Sequence, residues 1–109
     1  MSHHILLVDD EEEVLMILED LFTSRGYQIS KATDGQKALN LLGDISPDLI
    51  LADYQMPEMN GIELFKATQD LYPDTIRILL TAHGDLQVAM AAINEGGVYK
   101  FTTKPWNNN

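Results

Sequence analysis

A chain of 109 residues, 45% hydrophobic and 22% charged, has room for one globular domain with one core and none for a separate catalytic module. The absence of cysteine excludes disulfides and thiolate metal sites, and no apolar run approaches the roughly 18–20 residues that span a bilayer. Seventeen acidic against seven basic side chains give a formal net charge of −10, which argues against direct nucleic-acid binding, since that needs clustered Lys and Arg.

The first residues lack the basic-then-apolar pattern of a secretory signal, so a cytoplasmic location is expected. His3 and His4 are read as incidental rather than as a metal site. Ile5–Val8 is a short apolar strand, and Asp9 and Asp10 close it. Glu11, Glu12 and Glu13 suit the positive end of a helix whose inward stripe is expected at Val14, Leu18 and Leu21, widened by Ile17 and Phe22. Gly26 ends that helix. Tyr27–Lys31 alternates and is partly polar, as an edge strand would be. Asp34 and Gly35 turn the chain into a second helix with Ala38, Leu41, Leu42 and Ile45 inward.

Asp48–Ala52 is almost continuously apolar, as in strands buried on both faces, and Asp53 closes it. Pro57 and Gly61 bracket a loop. Ile62, Phe65 and Leu71 are expected to line the next helix, which stops near Pro73. Ile76–Leu80 is a fourth strand closed by Thr81. Asp85 is read as the N-cap of a helix carrying Leu86, Met90 and Ile93; Gly96 and Gly97 end it. Val98–Thr103 is a fifth strand, followed by Lys104 and Pro105. The alternation of strands and helices with short connections predicts an α/β fold with parallel strands and right-handed crossovers.

In such a sheet the polar residues that close the apolar runs all fall on the carboxyl edge, where open α/β sheets bind ligands. Taken singly, each has an ordinary structural reading: Asp9, Asp10 and Asp53 as capping or strand-end residues, Thr81 and Lys104 as turn residues. Taken together, three carboxylates, a hydroxyl and an ammonium are equipment for a divalent cation and a phosphoryl group. Oxygen ligands suit Mg²⁺, with Mn²⁺ as an alternative. A carboxylate such as Asp53 can attack phosphorus and form an acyl phosphate, a transfer that depends on positioning and charge neutralisation.

The run Asp53-Tyr54-Gln55-Met56-Pro57-Glu58-Met59-Asn60-Gly61 resembles the phosphoacceptor signature of response-regulator receiver domains, the CheY-like superfamily of two-component signalling. Asp9 and Asp10 after the first strand, Thr81 and Ala82 after the fourth, and Lys104 and Pro105 after the fifth match the same family in order and spacing. The resemblance covers essentially the whole chain, residues 1–109, as one receiver domain. It implies a flavodoxin-like doubly wound five-stranded parallel sheet of order 2-1-3-4-5, truncated after strand five with the last helix missing. A helix there would cover the sheet face shared with the first helix, so a bare face is expected, and with it homodimer formation or cover by a longer chain.

The resemblance also implies roles. Asp53 would be the phosphoacceptor, charged by a sensor histidine kinase or a phosphotransfer protein. Asp9, Asp10, Asp53 and the backbone carbonyl of Gln55 would hold Mg²⁺. Thr81 and Lys104 would bind phosphoryl oxygens, Phe101 would be the switch aromatic, and Pro105 would shape the turn that aims Lys104. Gln55 and His83 would flank the site at positions that tune the acyl phosphate's lifetime; His83 is read first as a loop histidine with no task, and otherwise as a modulator of water access. Phe101 departs from the family's common Tyr and has no hydroxyl to report its position. The expected protein is not an enzyme beyond its own phosphoryl transfer and dephosphorylation. It would not bind a membrane, and would control a C-terminal output domain absent from this chain. Residues 96–106 resemble receivers that precede cyclic-di-GMP-handling domains. Two other readings stand beside this one. A Mg²⁺-dependent phosphohydrolase would need a second Asp two residues after Asp53, where Gln55 stands, and a substrate cap. The other is a module of the same fold that is never phosphorylated.

Overall fold

The computed structural model describes residues 3–69, 71–82 and 100–104, with 81–82 and 100–104 described as backbone only. The elements in chain order are β1 (His4–Val8), α1 (Glu12–Thr23), β2 (Gln28–Ala32), α2 (Gly35–Leu42), β3 (Leu49–Asp53), α3 (Gly61–Gln69), β4 (Ile76–Ala82) and β5 (Lys100–Lys104). The five strands form one parallel sheet of order β2-β1-β3-β4-β5, the expected doubly wound arrangement. The expected helix around Leu86, Met90 and Ile93, and residues 105–109, lie outside the described residues.

The alternation of side chains along β1 and β3 divides the core in two. Leu6, Val8, Ile50, Ala52 and Leu79 face α2 and α3, where Leu64 and Phe65 are fully buried. Ile5, Leu7, Leu51 and Leu80 face α1, where Leu15 and Leu18 are buried. Full burial of one such side chain is worth about 1.5–3 kcal/mol, so both faces of the central strands contribute to holding the sheet. β2, at the edge, is partly exposed along its length apart from Ala32, as its mixed composition implied.

Local chemistry sets the helix ends. Asp34 caps α2, its Oδ1 accepting from the Lys37 N–H at 2.8 Å. Asn60 and Glu63 form a reciprocal capping box at α3: Glu63 N–H donates to Asn60 Oδ1 at 2.8 Å, and Asn60 N–H donates to Glu63 Oε1 at 2.9 Å. α1 has no side-chain cap, but Glu12 and Glu13 occupy its first turn. Beyond α1, Gly26 takes a left-handed conformation (φ 91°) that reverses the chain toward β2.

Three expected inward residues are not inward. Ile17 is 59% exposed and Leu21 43%; Leu15, which was not expected in the stripe, is buried with Leu18 instead. Residues 14–18 are all apolar, so the stripe had no sharp edge, and the helix is rotated toward Leu15. Leu71 is 71% exposed because α3 ends at Gln69 and no longer carries it. His4 and His3 bind other polar groups of the fold. His4 Nε2 lies 2.8 Å from Ser30 Oγ, linking β1 to β2, and His3 Nδ1 lies 3.5 Å from Asp48 Oδ2.

Candidate functional site

The registers bring the polar strand ends together. Val8 pairs with Ala52, so Asp9 leaves β1 beside Asp53 at the end of β3. Asp53 pairs with Leu80, which puts the Thr81 backbone one residue further along β4, level with Thr103; Ala82 is level with Lys104. All of these positions lie on one edge of the sheet. β1 and β3 are neighbours in space, yet the chain leaves β1 through α1 on one face and leaves β3 through α3 on the other. A crevice at such a divergence is where doubly wound sheets bind ligands.

The crevice is acidic. Asp9, Asp10 and Asp53 each offer a carboxylate oxygen, and these atoms lie within 4.8 Å of one another. Asp9 and Asp53 are buried, at 0% and 6% exposure, while Asp10 is exposed. Asp9 is oriented by the Glu11 N–H, which donates to its Oδ1 at 2.9 Å. At that separation each pair of carboxylates repels by on the order of 3 kcal/mol at an effective dielectric near 20. A divalent cation turns that repulsion into attraction. The oxygen-only donor set fits a hard cation such as Mg²⁺ or Mn²⁺.

The loop from β3 to α3 lies beside the acidic group. Asp10, Tyr54, Gln55, Met56, Pro57 and Asn60 line an open cavity of about 400 Å³. The loop is closed on itself by the Gly61 N–H, which donates to the Tyr54 carbonyl at 2.9 Å, and it is tied to β4 by the Tyr54 N–H, which donates to the Leu80 carbonyl at 2.8 Å. Glu58 in this loop has φ 70°, the left-handed region that a glutamate seldom adopts.

Of the expected site residues, the structure therefore gathers Asp9, Asp10 and Asp53, with Gln55 on the adjoining cavity. Thr81, Phe101 and Lys104 are placed as backbone in β4 and β5. His83 and Pro105 lie outside the described residues. Sequence reasoning missed the Asn60–Glu63 capping box, although the spacing of an Asn and a Glu three residues on was legible. It also missed the grip of the Glu11 amide on Asp9, which depends on the backbone turn after β1.

Residues 5–109 match the family model described as response regulator receiver domain. The chain belongs to the response regulator receiver family. Among its relatives, the transcriptional regulatory protein GlrR of Escherichia coli (strain K12) is 42% identical over 108 residues, covering 96% of this chain and 24% of the relative. The chemotaxis protein CheY of Thermotoga maritima is 34% identical over 107 residues, covering 97% of this chain and 88% of that protein. A crystal structure of the signal receiver domain of an HD domain-containing protein from Pseudomonas fluorescens Pf-5 superposes with a TM-score of 0.88 at 38% identity, covering 98% of this chain and 86% of that one. The chain thus spans about a quarter of GlrR and nearly all of CheY. Receiver domains are signalling domains of two-component systems, and the Asp9–Asp10–Asp53 cluster of this receiver is compatible with a divalent cation. Among the described residues no helix is long and apolar enough to cross a membrane.

Proposed function

We propose that this receiver domain accepts a phosphoryl group on Asp53 in a Mg²⁺-dependent reaction and switches conformation in response. The observation that carries the reading is the convergence of the Asp9, Asp10 and Asp53 carboxylates within 4.8 Å at the carboxyl edge of β1 and β3. The donor is a phosphohistidine on a sensor histidine kinase or phosphotransfer protein. An Asp53 carboxylate oxygen forms the new P–O bond as the P–N bond breaks, and the bonding electron pair leaves with the imidazole ring. Asp9, Asp10, Asp53 and the Gln55 carbonyl would hold Mg²⁺, which would supply positive charge against the carboxylates and the phosphoryl oxygens.

The chain's own groups do the rest. Asp53 is the nucleophile, buried beside Asp9. Thr81 hydrogen-bonds one phosphoryl oxygen, Lys104 pairs with another, and Pro105 shapes the turn that aims Lys104. Movement of Thr81 toward the phosphate leaves space that Phe101 fills. Gln55, on the adjoining cavity, flanks the phosphate and tunes how readily water reaches it. The effect is a population shift between two arrangements, with a coupling of about 1–3 kcal/mol.

The domain performs no chemistry beyond its own charging and discharge. The partial coverage of GlrR, and of the regulatory protein AtoC at 23% of its length, favours an output domain attached to this receiver in its parent protein. The net charge of −10 disfavours contact with DNA through this domain itself. Incubation with acetyl phosphate and Mg²⁺ followed by intact mass spectrometry tests the reading. A gain of one phosphoryl group, absent in Asp53→Asn and absent with EDTA, supports it. Turnover of a small phosphate ester would instead place the chain among phosphohydrolases.

A further inference from the structure

The β3–α3 loop carries the Gln55 carbonyl, and its geometry has a specific keeper. Asn60 lies on the same cavity as Asp10 and Gln55. Its N–H is held by Glu63 Oε1 at 2.9 Å, and its side-chain Oδ1 is held by the Glu63 N–H at 2.8 Å. The next residue, Gly61, closes the loop onto the Tyr54 carbonyl. The backbone that presents Gln55 is thus tied at Tyr54 on one side and at Asn60 on the other. Glu63 itself is exposed and lies on α3, outside both the acidic cluster and the cavity lining.

We propose that Glu63 is a positioning residue for the cation site: its hydrogen bond to the Asn60 amide fixes the loop so that the Gln55 carbonyl is held toward the Asp9–Asp10–Asp53 cluster. The inference rests on the magnesium reading above. Losing the bond frees the Asn60 N–H and lets the loop sample conformations in which that carbonyl points away. Cation affinity falls while the carboxylates remain. Supporting groups of this kind around a metal typically change affinity by about 10-fold or more.

Glu63→Ala and Glu63→Gln separate the hydrogen bond from the charge, since both remove the carboxylate's charge and only Gln keeps an oxygen at Oε1. Tyr72→Phe, which removes the 2.7 Å bond from the Tyr72 hydroxyl to the Leu42 carbonyl, is the control for general loss of stability. Mg²⁺ titration by calorimetry on the full chain is the readout, with amide chemical shifts of Gln55 and Asn60 recorded before metal is added. The expected result is affinity about tenfold weaker for Glu63→Ala, restored by Glu63→Gln, unchanged by Tyr72→Phe, with the Asn60 amide shifted in both Glu63 variants and the Gln55 amide shifted in Glu63→Ala alone. Wild-type affinity in Glu63→Ala overturns the inference and leaves the magnesium reading intact. Equal weakening in Glu63→Gln overturns it in favour of a charge effect, and equal weakening in Tyr72→Phe overturns it in favour of global stability. A wild-type chain without Mg²⁺ affinity removes the magnesium reading and the inference together.

Discussion

Gly61 stands so close to Asp53 that a β-carbon on it would lie 2.6 Å from the Asp53 carbonyl oxygen. The same β-carbon would lie 2.6 Å from Leu79 Cδ1. The leucine methyl can rotate away; the backbone oxygen of a central strand cannot. Gly61→Ala should therefore push the start of α3 from the end of β3. We expect a loss of about 1–3 kcal/mol, the usual cost of overpacking a close-packed site, together with slower phosphorylation of Asp53. Urea denaturation and acetyl phosphate labelling measure the two effects, and a wild-type labelling rate would show that the close approach does not bear on the acceptor.

Mg²⁺ should stabilise the folded chain by mass action. At a free concentration of 100 times its Kd the gain is about 2.7 kcal/mol. Asp9→Asn and Asp53→Asn each remove a carboxylate from the cluster and should lose most of that gain. Thermal midpoints with Mg²⁺ and with EDTA report it. Equal midpoints in the two conditions for the wild type would contradict a cation site at this position.

Glu58 has φ 70° and carries the strain of a side chain in the left-handed region. Glu58→Gly relieves it at some entropic cost, with an expected net gain of about 0.5–1 kcal/mol. Chemical denaturation checks the sign. Lower stability in the variant would mean that the Glu58 side chain makes contacts worth more than the strain.

Acid sensitivity should include a small contribution from Asp48. Its carboxyl is held below the ordinary 3.8, chiefly by the hydrogen bond from the His4 backbone N–H, with slight desolvation opposing and the attraction of His3 assisting. A carboxyl depressed in the fold contributes stability that is complete above its unfolded value and vanishes as pH falls through its folded value. Wild type should therefore exceed Asp48→Asn in melting temperature at neutral pH, with the gap closing below 3.8. A gap that persists unchanged in strong acid would assign the difference to packing.

Much of the architecture was legible because strands and helices left different marks. Leu49 to Ala52 is too apolar and too short for anything but a central strand, and Asp34 stands at the position its capping bond requires. The acidic cluster was legible in kind because Asp9, Asp10 and Asp53 each end an apolar run. What periodicity could not resolve was the rotation of α1, since five consecutive apolar residues present an apolar side in every direction. The exposure of Leu71 was hidden for a different reason: it depends on where α3 stops, and Leu71 is beyond the last residue of that helix. The Glu11 amide on Asp9 and the crowding at Gly61 are properties of backbone paths, which composition does not encode.

The pairing of β1 with β3 has a consequence for synthesis. Asp9 and Asp10 are translated long before Asp53, and the two halves of the pocket meet only when a strand made later slides in beside the first. On the function proposed above, a nascent chain that has emerged only through β2 has no acceptor to offer a kinase. One that has just released β3 offers an aspartate that has not yet docked. On the proposed function, competence to carry a signal arrives with the closing of the sheet.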